Sequence, residues 1–312
     1  MDAPLKVFSG SSHPKLSQDI CDRLGIPLGK SHTVTFSNEN MMVQIDENVR
    51  ECDVFVVQTS CSPVHTHLFE LLMMIDALRS ASAARITAVM PYIPYIRSDK
   101  KDRPRISITA RLVADLLETA GADRVLTMDM HTAQAQGFFR IPVDHLMAAT
   151  PICERLEREK DDDWILVAAD VGEAKDIGKY ANKLDLPFAI IDKRRFGDDE
   201  KPKAVNLIGS VEGKTALVVD DEIASGATLC EAATFLRANG ATRVIATASH
   251  AVFSGKAAQR IADAFIEKVI VTDTIPLPAQ QLNSKIEVLS VAGLFAAAIT
   301  RIHDGRSVSA LF

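Results

Sequence analysis

Strand-like apolar runs alternate with helix-patterned segments along nearly the whole chain, and few folds satisfy that rhythm. In the first half, residues 5–9, 54–57, 86–90 and 125–128 read as short strands, with helices expected over 14–24, 68–78 and 106–117. Leu16, Ile20 and Leu24 share one face of the first helix, and Ile108, Leu112 and Leu116 one face of the third. The second half repeats the pattern, with strands over 165–169, 188–191, 216–219, 244–248 and 269–271 and helices over 172–183 and 227–238. Strands this apolar, spaced by helices, are buried on both faces. The chain is therefore expected to be α/β, with mostly parallel sheets flanked by helices. A boundary near 147–150 gives two similar domains, 1–147 and 148–290, and the last helix and tail, 291–312, are expected to pack back on the first. The 312 residues suit two domains of about 150 each.

Composition narrows the function classes. Hydrophobic residues make up 47% of the chain, enough for a core. No run approaches the roughly 18 apolar residues of a membrane span. The opening Met1-Asp2-Ala3-Pro4-Leu5-Lys6 lacks the basic-then-apolar pattern of a secretory leader. Five scattered cysteines, none in a CxxC pair, read as reduced thiols without metal or disulfide. A cytoplasmic location is expected, with no membrane partner. The net charge of −6 argues against a nucleic-acid partner.

One segment carries the most chemistry. Val218-Val219-Asp220-Asp221-Glu222-Ile223 runs an apolar strand into paired carboxylates. Ala224-Ser225-Gly226-Ala227-Thr228 then passes through small residues into a helical pattern. The opening N–H groups of such a helix have no internal partner, and its dipole adds roughly +0.5 charge there. Small residues let a phosphate approach that main chain closely. The carboxylates can accept hydrogen bonds from sugar hydroxyls or hold Mg²⁺. Together they suggest a sugar phosphate; the plainer reading is a strand-to-helix turn with an acidic N-cap.

Other polar residues fall at strand ends, where ligands collect in α/β sheets. His131, in Asp129-Met130-His131, follows the strand over 125–128, and Asp170 follows the one over 165–169. Each is placed to ligate a metal, although the histidine can be structural and the aspartate an N-cap. Lys193-Arg194-Arg195 follows the strand over 188–191 and precedes a polar loop, where three cations could neutralise charge in phosphoryl transfer. As a solvated surface the trio needs no function. The charged stretch from Arg97 to Arg105 suggests anion recognition, or equally a salt-bridged loop at an interface.

The order and spacing of these segments resemble the ribose-phosphate pyrophosphokinase family over essentially the full length. Long strings carry the likeness, notably Ala120-Gly121-Ala122-Asp123-Arg124-Val125-Leu126-Thr127-Met128-Asp129-Met130-His131, together with 72–91, 190–195, 218–229, 250–255, 271–276 and 307–312. The resemblance implies two phosphoribosyltransferase-like domains and a reaction. ATP and ribose 5-phosphate would give AMP and 5-phosphoribosyl 1-pyrophosphate, the anomeric hydroxyl attacking the β-phosphorus. It further implies that His131 and Asp170 ligate Mg²⁺ on the ATP phosphates. Asp220 and Asp221 would hold the ribose hydroxyls and their metal, and Ser225, Gly226, Ala227 and Thr228 the 5-phosphate. Lys193 and Arg195 would act on a closing loop. Phe36, Asn38, Asn40, Arg97, Ser98 and Asp99 would contact ATP. Arg50 and the tail around Ser307–Ser309 correspond to the family's phosphate-responsive site. Sites shared between subunits imply a homo-oligomer, a dimer at least, with a hexamer as the larger option.

The chain departs from the family pattern at several of these positions. Ala224 stands where a third Asp is usual and Ala227 where Gly is. Phe36-Ser37-Asn38-Glu39-Asn40 replaces Phe-Ser-Asp-Gly-Glu, Ser98 replaces Gln, and Glu173 replaces a second Gly. Two other readings stay open: a phosphoribosyltransferase, which shares the acid-pair loop, and a catalytically weak paralogue that tunes an active synthetase.

Overall fold

The computed structural model describes residues 3–169, 174–194 and 203–311. The chain divides into two compact units, Met1–Met147 with Thr274–Pro276 and Ser290–Phe312, and Ala148–Asp273 with Leu277–Leu289.

The first unit begins with β1 (Leu5–Ser9) and α1 (Pro14–Leu24). α1 starts where the His13 ring nitrogen accepts the Leu16 N–H and Pro14 supplies a helix-ready φ; it stops at Gly25, whose φ of 69° suits glycine. An antiparallel hairpin follows, β2 (Ser31–Thr35) and β3 (Met41–Ile45). Then come β4 (Asp53–Val57), α2 (Val64–Ser80), β5 (Arg85–Met90), α3 (Thr109–Ala120), β6 (Arg124–Met128), a 3-10 turn at Ala133–Phe138 and β7 (Val143–Leu146). Five strands form one parallel sheet in the order β1-β4-β5-β6-β7. β4 is buried at every position, as a central parallel strand must be.

The second unit contains α4 (Ala149–Leu156), β8 (Trp164–Ala168), α5 (Ala174–Leu184), β9 (Phe188–Arg194), β10 (Lys203–Ile208), β11 (Thr215–Ile223) and α6 (Ala227–Ala238). β12 (Arg243–Ala251), α7 (Ala257–Asp263), β13 (Lys268–Thr272) and β14 (Ile286–Leu289) complete it. Its seven-stranded sheet runs β10-β9-β8-β11-β12-β13-β14, parallel except where β10 meets β9. The last helix, α8 (Ala292–His303), belongs to the first unit and packs on α1. The α/β architecture of mostly parallel sheets flanked by helices is as expected.

Three expectations need correction. β11 does not end before the acid pair. It continues through Asp220, Asp221 and Glu222 because β12 keeps pairing with it, out to Ile223 opposite Ala251. β9 likewise runs on through Arg194, since the antiparallel β10 supplies partners, with Lys193 opposite Ala204. Lys193 and Arg194 are therefore in a strand. Helix α3 starts at Thr109, and its Leu112 and Leu116 face outward at 49% and 38% exposure, while Ala110, Val113, Ala114 and Leu117 face the core.

Candidate active site

In the second unit, β8 pairs with β11 only as far as Val219 opposite Ala168, so the last four residues of β11 continue beside β12 alone. Asp220 and Asp221 thus stand half-buried at the carboxyl end of a central strand, while Glu222 is buried. The Asp221 N–H donates to Asp220 Oδ1 and the Glu222 N–H to Asp221 Oδ1, each at 2.8 Å. These bonds fix both carboxylates against the local backbone.

The small-residue loop then turns into α6. Gly226 has a φ of 73°, in the left-handed region, and the Ala227 N–H reaches Ser225 Oγ at 3.4 Å. The loop is braced from behind. Ser254 N–H donates to the Ala224 carbonyl at 2.9 Å, and Phe253 N–H to the Ile223 carbonyl at 3.0 Å. From α7, Arg260 Nη1 donates to the Ser225 carbonyl at 2.7 Å. With its carbonyls held from behind, the loop presents exposed Ser225 and Thr228 at the helix N-terminus, where an anion is favoured. Cys230 lies one turn into α6, yet burial pushes its thiol up, against a smaller opposing pull from Arg260. It is not an activated nucleophile.

In the first unit, the expected ATP-side residues fall on two elements. Phe36, Asn38 and Asn40 form the exposed turn of the β2–β3 hairpin, closed by Phe36 N–H to the Asn40 carbonyl at 2.8 Å. Phe36 is 48% exposed. Arg97, Ser98 and Asp99 lie on the loop before α3, pinned where Ser98 N–H donates to the Tyr95 carbonyl at 2.8 Å. Thr132 Oγ1 donates to Asp99 Oδ2 at 2.9 Å, which joins that loop to the turn bearing His131. His131 is exposed just past β6, following Asp129, whose φ of 31° marks a strained turn. The structure thus brings Asp99 beside the His131 turn and gathers 220–228 into one edge.

Asp170, Arg195 and the side chain of Lys193 lie outside the described residues. Among the described residues, no three His, Cys, Asp or Glu side chains converge as a metal site. No described helix is long and apolar enough to cross a membrane. A cleft of about 230 Å³ in the second unit, lined by Thr242, Arg243 and Lys285 among others, opens at the amino ends of β12, β13 and β14, away from the acid pair. Sequence reasoning missed Arg260: it acts across 35 residues from a seven-residue helix, with no local pattern to mark it.

Fold and site together define an α/β protein in which an acidic strand end feeds a small-residue loop at a helix N-terminus. A family model for the N-terminal domain of ribose phosphate pyrophosphokinase matches residues 5–121, and one for the phosphoribosyl synthetase-associated domain matches 194–312. The chain belongs to the ribose-phosphate pyrophosphokinase family and is a pyrophosphoryl transferase. It is 49% identical over 316 residues to a ribose-phosphate pyrophosphokinase of Deinococcus radiodurans, covering 99% of this chain and 98% of that one. A second, from Caldanaerobacter subterraneus subsp. tengcongensis, is 49% identical over 315 residues with the same coverage. Among solved structures, phosphoribosylpyrophosphate synthetase from Mycobacterium smegmatis matches with a TM-score of 0.92 and 40% identity, over 97% of this chain and 99% of that one.

Proposed function

We propose that the enzyme converts ATP and ribose 5-phosphate to AMP and 5-phosphoribosyl 1-pyrophosphate. The observation that supports this most is the continuous run from Asp220 to Thr228, where two strand-end carboxylates precede a braced phosphate loop. The sugar's anomeric oxygen attacks the β-phosphorus of ATP. A new C1–O–Pβ linkage forms, the Pα–O–Pβ bridge breaks, and AMP leaves with the bridging oxygen. The hydroxyl proton passes to solvent or a nearby base.

In this reading Asp220 and Asp221 accept hydrogen bonds from ribose hydroxyls, which orients the anomeric carbon. The main chain at 225–228 binds the 5-phosphate. Phe36, Asn38, Asn40, Arg97, Ser98 and Asp99 take ATP. Lys193 and Arg195 neutralise charge on the transferred group. The donor chemistry also suits Mg²⁺: half-buried carboxylates at 220 and 221 are the hard oxygen ligands it prefers. His131 and Asp170 would hold it on the nucleotide side and Asp220 and Asp221 on the sugar side. When bound, Mg²⁺ supplies charge neutralisation on the phosphates. A homo-oligomeric, cytoplasmic enzyme acting on small molecules, with no nucleic-acid partner, completes the proposal.

The test is purified protein with ATP, Mg²⁺ and ribose 5-phosphate, scored for AMP. AMP formation that requires the sugar phosphate supports the proposal. Turnover only of the pyrophosphorylated sugar with a nucleobase would select a phosphoribosyltransferase, and binding without turnover a regulatory subunit. Lys193→Ala is expected to lower turnover by orders of magnitude with little change in Tm.

A further inference from the structure

Glu70 is a charged residue 1% exposed in the middle of α2, and the reaction as proposed gives it nothing to do. Its carboxylate is satisfied from three separate parts of the first unit. Oε2 accepts from the Ser11 N–H at 3.1 Å, the Ser11 hydroxyl at 2.5 Å and Gln58 Nε2 at 2.7 Å. Oε1 accepts from the Thr33 hydroxyl of β2 at 2.7 Å. The four donors are neutral. Burial alone would push the carboxyl up, but the bonds from Ser11, Thr33 and Gln58 outweigh it and hold the group below its ordinary value.

The network continues along the carboxyl ends of β1 and β4, the end of the sheet where ligands bind. Gln58 Oε1 accepts from the Ser12 N–H at 3.0 Å, and Gln58 Nε2 also donates to the His67 carbonyl at 3.0 Å. Gly10 lies directly beneath it, and a Cβ there would come 2.3 Å from Gln58 Oε1, so a side chain at 10 would displace the Gln58 amide. Ser12 Oγ accepts from the Thr59 N–H at 2.9 Å, and Thr59 Oγ1 accepts from the Tyr92 N–H at 3.2 Å. Tyr92 opens the segment that leads to Arg97. One buried carboxylate therefore stands behind both ATP-side elements, the hairpin through Thr33 and the Arg97 loop through Gln58, Ser12 and Thr59.

The hairpin needs such an anchor. β2 is exposed over most of its length, and the hairpin rests on the body through β3, which lies against α2 and packs Val43 and Ile45 on the core of the first unit. Without the Thr33 bond, the edge leading into Phe36 would be held at one strand.

The geometry points to Glu70 as a positioning residue that fixes the Phe36–Asn40 turn for nucleotide binding, which rests on the ATP assignment made above. The test uses Thr33→Val, which keeps shape and removes one donor, with Thr33→Ser as the conservative rescue. Hairpin amide hydrogen exchange and steady-state kinetics are measured on the full chain. Thr33→Val is expected to speed exchange in the hairpin about tenfold, the scale of a lost hydrogen bond to a charged group. It should raise KM for ATP several-fold, with kcat and KM for ribose 5-phosphate near wild type, and Thr33→Ser should restore both readouts.

Unchanged hairpin exchange would overturn the anchoring role. Phe36→Ala separates the remaining outcomes. If it raises KM for ATP while Thr33→Val loosens the hairpin without doing so, the turn binds nucleotide but Glu70 does not position it. If neither variant moves KM for ATP, the ATP assignment of the hairpin and this proposal fail together.

Discussion

The Thr132 hydroxyl donates to Asp99 Oδ2 at 2.9 Å, so the loop before α3 and the turn after β6 are one unit of structure. Asp99 reached this position from a loop whose sequence reads only as a run of charges. The bond places Arg97, two residues away, at the same sheet edge as His131. Removing the hydroxyl with Thr132→Val is expected to raise KM for ATP several-fold and to cost about 1.5 kcal/mol, the low end for a hydrogen bond to a carboxylate. Steady-state kinetics with urea unfolding measures both. Unchanged KM would detach this loop from nucleotide binding.

Gly226 opens α6 in the left-handed region at a φ of 73°. A Cβ there has room, since its nearest neighbour would be the Ala257 carbonyl oxygen at 3.5 Å. The penalty of Gly226→Ala is therefore conformational, about 1–2 kcal/mol. The variant should fold, with a Tm lower by a few degrees. KM for ribose 5-phosphate should rise about tenfold while KM for ATP stays put. Equal effects on both substrates would mean the loop does not belong to the sugar phosphate.

Asp53 is fully buried and gripped by Arg85 through two bonds, at 2.8 and 2.6 Å, while His303 Nδ1 lies 2.8 Å from its Oδ2. Arg85 Nη2 also donates to the Ile302 carbonyl at 3.1 Å, tying the end of α8 to β4 and β5. Arg85→Ala leaves a buried carboxylate without its cation and is expected to cost about 3 kcal/mol. Equilibrium unfolding in urea checks this, and a loss below about 1 kcal/mol would show that Asp53 finds another partner.

Glu70 gives stability a pH dependence with a definite sign. Its folded value lies below its ordinary one, so the unfolded chain takes up the proton first as pH falls. The stabilisation is complete above the ordinary carboxylate value of about 4.3 and is lost as pH drops from there through the lowered folded value. Glu70→Gln should be less stable than wild type at neutral pH, and the difference should shrink with acidification. Thermal melts at several pH values measure it. A gap that stayed constant below that value would contradict a charged Glu70.

What could be read from sequence follows from how local each signal is. The bounds of α6 were legible because a small-residue loop starts it and Asn239-Gly240 follows it. The strands β1 and β4 were legible from apolar content alone. The hairpin was not: Ser31–Thr35 is polar and exposed, and it is held by a carboxylate 37 residues away. The length of β11 was hidden because Asp and Glu disfavour strands, and only the register with β12 carries them in. The core face of α3 was misread: Leu112 and Leu116 follow helical spacing but point outward, and the buried face is carried by Ala110, Val113, Ala114 and Leu117, a choice set by tertiary packing that periodicity cannot supply. The candidate run 220–228 stands out in the sequence as a string, whereas the brace from Arg260 and Ser254 does not, because it joins segments distant in sequence.

The most direct measurement is a crystal structure of the protein with ribose 5-phosphate. The 5-phosphate is expected on the main-chain N–H groups of 225–228, with the ribose hydroxyls against Asp220 and Asp221. A sugar phosphate bound elsewhere, with that strand end and loop left without ligand at saturating concentration, would contradict the assignment.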